Sequence, residues 1–305
     1  MKIYLDLEFL EDFFLSYDDS DSHSRLRRLL CSSESPIQLI INFDFEEIYK
    51  DKEKWVLFRQ IAQKVDVVNT DLEIINKANT LSFHETKTPN LFFMNSEFLN
   101  TERFGCFSMT SNQLKKCDLF LFPERYRIDN RVGNWSFISS CKLPCNSLIL
   151  TDNYLNSSDE TYENLFSILI ALMPSYLDMD FDLTIIGDKN NFKSIQDQYD
   201  KILIKLRESF SFNVNLTIIR ENYHMRSIQT NYTRIWSDQG FVLFKNNRLI
   251  NGKETTVEFN SIGEFGRESS IYKIRNDELE KCKKICQVER MPEKLIGNRK
   301  NRLLL

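Results

Sequence analysis

Along the chain, apolar residues recur with two different periods, and the alternation between those periods defines the elements. Residues 2–7 (KIYLDL) alternate apolar and polar, as a half-buried opening strand does. Pro36 opens IQLIINF, a β-branched run that reads as a central strand over 37–43. Between 46 and 64 the period lengthens: Ile48, Trp55, Phe58, Ile61 and Ala62 line one face of a helix. A short helix is expected over 25–30, a strand over 65–68, a short helix over 72–78, and compact apolar strands over 91–94 and 119–122. Helices and strands taking turns in this way argue for an α/β fold.

The second half repeats the pattern with clearer punctuation. Residues 134–146 (NWSFISSCKLPCN) read as the exit from a first domain, and the strand SLILTDNYL follows, ending in Asp152 and Tyr154. Ser158 and Asp159 are cap residues for a helix over 162–173, which Pro174 closes. A strand over 181–186, a helix over 191–210 and a strand over 214–219 come next. A strand carrying His224 and a hairpin complete the unit, with Ser237 to Gly240 as its turn. The expected organisation is therefore an α/β domain over 1–143, a second over 144–270 and a basic helix and tail over 271–305.

Composition narrows the class. The 305 residues are 42% hydrophobic and 28% charged, which is globular, and only 8 glycines and 6 prolines leave little for long flexible linkers. No run of about 18 apolar residues is present, so no membrane span is expected. The opening MKIYLDLEFLEDFF has acids within its apolar stretch and no basic flank, so it reads as part of the fold rather than a leader. Seven cysteines, an odd number, suit reduced thiols in a cytoplasmic protein. Cys141 with Cys145 and Cys282 with Cys286 share a C-x3-C spacing, read as apolar fillers before zinc half-sites, and no cofactor is expected. The net charge of −4 hides an asymmetry: residues 1–22 hold seven acids and one lysine, whereas residues 281–305 hold eight basic and two acidic residues. Such a tail either meets a protein partner or nucleic acid, or lies solvated with a frayed end.

Two groups of residues carry candidate chemistry. Asp6 closes the first strand, with Glu8, Glu11 and Asp12 close behind. This opening resembles the first strand of PIN-domain nucleases, in which an aspartate at the strand's end binds a divalent metal. Such a cation needs several converging carboxylates, for which Asp44 and Asp118 are the downstream candidates.

The other group is His224, Arg226 and Asn231. An imidazole and a guanidinium two residues apart leave the same face of an extended chain, and an amide follows five positions on. Together they suit a phosphate or a carboxylate. A β-α-β-α-β unit followed by H-x-R-x4-N resembles one half of a phospholipase D-like domain, whose motif is H-x-K-x4-D, over about residues 145–265. The resemblance implies His224 as nucleophile, Arg226 in place of the phosphate-holding lysine and Asn231 in place of the aspartate that orients the network; apart from the resemblance, Asp152 and Ser237 are further ligand-binding candidates beside Arg226. No second H-x-K or H-x-R is present, since His23 and His84 lack the context, so a complete site would pair His224 across a homodimer. The H-x-R form is also similar to the non-catalytic phospholipase D-like domain of certain MIT-domain proteins, which bind membranes.

Three functions stay open at this level. The first is a phosphate-recognising, nucleic-acid-binding component with a degenerate phospholipase D-like domain. The second is a phosphodiesterase or nuclease, through His224 or the N-terminal acids, and the third is a structural subunit of a larger complex. His224 and Arg226 would in that last case merely satisfy neighbouring backbone or acids such as Glu221 and Asp152.

Overall fold

Short apolar runs become strands and longer amphipathic ones become helices in the computed structural model, which describes residues 2–15, 24, 38–42, 56, 66–69, 77–85, 90–95, 100–115, 125–155, 159–187, 194–261, 269–288 and 291–305. The fold is mixed α/β. Contacts divide the chain into two units, residues 1–121 with 261–274 and residues 122–260 with 275–305.

In the first unit, β1 (Lys2–Leu5), β2 (Gln38–Ile41), β3 (Asp66–Asn69), β4 (Leu91–Phe93) and β5 (Phe107–Met109) form a parallel sheet in the order β3-β2-β1-β4-β5. Strands β1, β2 and β4 are almost wholly apolar and buried, as strands covered on both faces must be. Tyr4 stacks on Phe92 at 4.8 Å, and Phe83, Met94 and Cys106 complete that part of the core. His84 is buried there as well. Its Nε2 lies 2.6 Å from the Ala78 carbonyl, which can only accept, so Nδ1 is left to accept from the Cys106 thiol at 3.3 Å. The expected helices over 25–30 and 46–64 and the strand over 119–122 lie largely or wholly outside the described residues, as do His23, Asp44 and Asp118.

The second unit holds an eight-stranded sheet in the order β15-β9-β8-β7-β10-β11-β14-β6. Its strands are β6 (Arg125–Ile128), β7 (Ser147–Thr151), β8 (Phe181–Ile186), β9 (Val214–Ile219), β10 (Ser227–Thr230), β11 (Thr233–Ser237), β14 (Thr255–Ser261) and β15 (Leu295–Gly297), with β12 (Phe244–Lys245) and β13 (Arg248–Leu249) as a separate small hairpin. Strands β7, β8 and β9 run parallel, while β10 returns antiparallel on the far side of β7. Every residue of β7 and β8 is buried. The helix Asp159–Leu172 buries Leu165, Ile168 and Leu169, and the helix Ile195–Ser209 starts at Ser194, whose hydroxyl accepts from the Gln196 and Asp197 amides.

Three expectations change here. The boundary falls near residue 121, because β6 pairs with β14 in the second sheet and Trp135 is fully buried with its Nε1 donating to the Phe241 carbonyl at 3.0 Å. The segment 134–146 is thus core of the second unit and not an exit from the first. The hairpin turn lies at Asn231 and Tyr232, between β10 and β11, rather than at Ser237–Gly240. The tail is docked rather than frayed. Leu295 and Leu304 join the apolar cluster of Ile149, Ile186, Ile219, Tyr223, Cys282 and Cys286, and the Asn301 amide donates to the Leu148 carbonyl and the Thr184 hydroxyl. Arg302 pairs with Asp182 at 2.9 Å, which takes one of the tail's cations out of any partner surface. Both cysteine pairs are buried, as fillers would be. No helix among the described residues is long and apolar enough to cross a membrane.

Candidate functional site

A chain that leaves the carboxyl end of β9 and returns as β10 beyond β7 must cross the carboxyl ends of the parallel strands. Residues 220–226 make that crossing. In open α/β sheets this edge, where the strand order reverses, is where ligands gather.

The edge is fixed from beneath. Asp152 follows β7 and is buried, its Oδ1 accepting from the Tyr154 amide at 2.8 Å and its Oδ2 from the Phe241 amide at 2.6 Å. Burial pushes its carboxyl up from the ordinary range, opposed by those two N–H groups and by the charges of Arg226 and Lys253. The Asn164 carbonyl oxygen accepts from Trp135 Nε1 and from the amides of Leu243 and Phe244, so the segment after Gly240 is held on both sides. Gly240 has a positive φ of 79°, and a Cβ there would stand 2.7 Å from Asp152 Oδ2 and 3.4 Å from Arg226 Cδ. Only glycine lets the turn close over that pair.

The crossing segment is tied to the end of β7 by one asparagine. Asn153 donates from Nδ2 to Asn222 Oδ1 at 2.8 Å and accepts from the Tyr223 amide at 3.1 Å. Tyr223 and Met225 then pack into the apolar cluster, while His224 is exposed and Arg226 half-buried. The Arg226 Nη1 donates to the Asp238 carbonyl, which orients the guanidinium beside Asp152.

The sequence candidates therefore separate. His224 and Arg226 share the edge, but both precede β10 instead of lying on it. Asn231 is at the opposite end of that strand, about 16 Å away at the rise of an extended chain. It is buried, with Oδ1 accepting from the amides of Asn146 and Ser147 at 2.8 and 3.2 Å, so it fastens the start of β7 and orients no imidazole. Ser237 is buried with its hydroxyl donating to the Gly240 carbonyl at 2.8 Å, and both Asp152 oxygens are taken up by backbone amides. These two residues shape the edge rather than face a ligand. Tyr154, Asn153 and Asn222 are the edge residues that sequence reasoning left without a role. The polar run Asp152-Asn153-Tyr154 directly after an all-apolar strand is the signal that points to them.

The first unit has its own polar group at the carboxyl ends of β1 and β4. Asp6 accepts from the Phe9 amide at 2.7 Å and the Asn95 amide at 2.8 Å. Asn95 and Ser111 both donate to Asp12 Oδ2, at 2.8 and 2.9 Å, and the Ser111 amide donates to Asn95 Oδ1. Asp44 and Asp118, the other carboxylates of the metal set that the N-terminal resemblance implies, lie outside the described residues. The carboxylates of Asp6 and Asp12 face amides and a hydroxyl, and no group of three metal-ligating side chains is found among the described residues.

Comparison with known proteins adds no identity: no protein-family model matches the chain, and no curated protein does.

Proposed function

We propose that this protein recognises phosphate in a phosphodiester ligand, nucleic acid foremost, at the carboxyl edge of its second sheet, and that it binds without cleaving. One observation carries this reading: Arg226 stands half-buried beside His224 at the point where the strand order reverses, with its fork of donors oriented from one side only. A guanidinium so placed keeps further N–H groups for two oxygens of a phosphate. The degenerate phospholipase D-like reading of this unit belongs to the same proposal.

Catalysis draws less support. An imidazole acting on phosphorus needs a group that sets its tautomer and supports its charge, and Asn231 sits a strand length away. Pairing of His224 across a homodimer remains the route by which hydrolysis would occur.

The test is a titration of a labelled oligonucleotide with the parent protein and Arg226→Ala at two salt concentrations. Binding should weaken in the variant and with salt, because the attraction is to phosphate charge. Equal binding by both proteins would refute the reading. Cleavage of the oligonucleotide by the parent protein, lost in His224→Ala, would make it an enzyme.

A further inference from the structure

We infer that Thr255 is a positioning residue of this edge: its hydroxyl holds the Asp238 carboxylate away from the Arg226 guanidinium, and that restraint decides whether the edge takes an anion. The inference rests on the phosphate reading above and names what keeps the cation open to its ligand.

The cation and the acid that would quench it are neighbours by topology. Strands β10 and β11 pair through Ser227 and Trp236, and one step further the Ser237 amide donates to the Arg226 carbonyl at 3.2 Å. Asp238 is the next residue, and its carbonyl is the group to which Arg226 Nη1 donates. The carboxylate of Asp238 is therefore only a few bonds from an acceptor already on the guanidinium, and rotation about its own side chain suffices to bring it there. It would be the stronger partner, because charge-assisted, bidentate bonds to a guanidinium exceed a single bond to a carbonyl. Yet Arg226 makes no salt bridge among the described residues.

What holds the acid back is on the neighbouring strand. Thr255 opens β14, which lies next to β11, and its hydroxyl donates to Asp238 Oδ1. Thr255 is buried and in register with Ile128 of β6, so the hydroxyl is a fixed post, whereas Asp238 is exposed just after β11. The other acid of this edge does not substitute, since both Asp152 oxygens accept from backbone amides. With the Thr255 hydroxyl in place, Arg226 keeps the rest of its fork for phosphate oxygens. Without it, the Asp238 side chain swings onto the guanidinium, and a ligand must displace it first.

The experiment titrates a short labelled oligodeoxythymidylate with the full chain and four variants. Thr255→Val, which exchanges the hydroxyl for a methyl of the same shape, should weaken binding by roughly 2- to 5-fold, the range for a near-surface ion pair that the ligand must displace. Thr255→Ser keeps the hydroxyl and should bind like the parent. Adding Asp238→Asn to Thr255→Val removes the competing charge and should restore parental binding or better, a rescue that a merely structural role of Thr255 does not produce. The inference is overturned if Thr255→Val binds like the parent, if Thr255→Ser is as weak as Thr255→Val, or if the double variant stays as weak as Thr255→Val. Each of these results leaves the phosphate reading standing so long as Arg226→Ala binds worse than the parent. A parent that binds no oligonucleotide, or an Arg226→Ala variant that binds as well as the parent, removes that reading and this inference with it.

Discussion

At the carboxyl end of β1 in the first unit, Asp6, Asp12, Asn95 and Ser111 turn toward one another: Asp6 accepts from the Phe9 and Asn95 amides, and Asp12 accepts from the Asn95 and Ser111 side chains. At the carboxyl end of β7 in the second unit, Asp152 is closed off in the same manner, but His224 nearby is exposed and Arg226 is only half-buried. Both edges occupy the position where α/β sheets bind ligands, so position alone does not make a site. What distinguishes them is whether the donors and acceptors are already matched. A matched set stabilises the fold, and an unmatched set above a matched one is available to something else.

The comparison breaks first at Asp6. Asp6→Ala removes the acceptor for the Phe9 amide in the first turn of the helix Leu7–Leu15 and for the Asn95 amide, and should destabilise the protein by about 3 kcal/mol in urea unfolding, the sum of a lost cap and a hydrogen bond to a charged group. A loss below about 1 kcal/mol would mean that the first edge is not the tightly matched one. Next in size is the open edge itself, read through binding. Arg226→Ala should weaken an oligonucleotide complex by roughly 1.5–3 kcal/mol in a fluorescence titration while leaving unfolding nearly unchanged.

A smaller effect concerns the apolar cluster beneath the open edge. Burial pushes the Cys282 thiol up to about 12 and Cys286 to about 11, from the ordinary 9.0. Below pH 9 both thiols keep their protons whether the chain is folded or not. Above it the unfolded chain releases protons that the folded chain retains, so stability should fall between about pH 9 and pH 11. Urea melts at pH 8 and pH 10.5 would show the decline, and Cys282→Ala should flatten it. An unchanged slope in that variant would mean the thiol is not titrating in the folded cluster. The smallest change is expected at His224, where Ala should shift stability by no more than about 0.5 kcal/mol, as at other exposed positions. A larger loss would place the imidazole in the matched framework and dissolve the contrast.

Much of the framework is legible in the sequence because it is local. The runs KIYL, QLII, LFF, SLILT, FDLTII and VNLTII are apolar enough to require burial on both faces, and all become strands. Strand β10 is harder, since Ser227, Gln229 and Thr230 are polar yet buried by partners far away in sequence. The Gln229 amide reaches Glu278, which also pairs with Arg234 at 2.5 Å. The same dependence on distant partners hides the true boundary, where Trp135 finds Asn164 and Phe241, and the docked tail, where Asn301 finds Leu148 and Thr184. At the site, His224 and Arg226 fall at the same sheet edge because only one residue separates them in the chain. The separation of Asn231 is not, because it depends on where an extended chain enters and leaves a hydrogen-bonded ladder.

The tail has a consequence for synthesis. Strand β15 adds to β9 from a point more than 70 residues later, and Asn301 bonds to the Leu148 carbonyl, 153 residues back. Until residues 295–304 have been made, that edge of β9 has no strand to pair with and the cluster around Ile219 lacks Leu295 and Leu304. A nascent chain paused at this stage is a strand edge beside an open apolar face, the form most prone to self-association and chaperone capture. Completion of this sheet edge therefore comes later than the emergence of the parallel core.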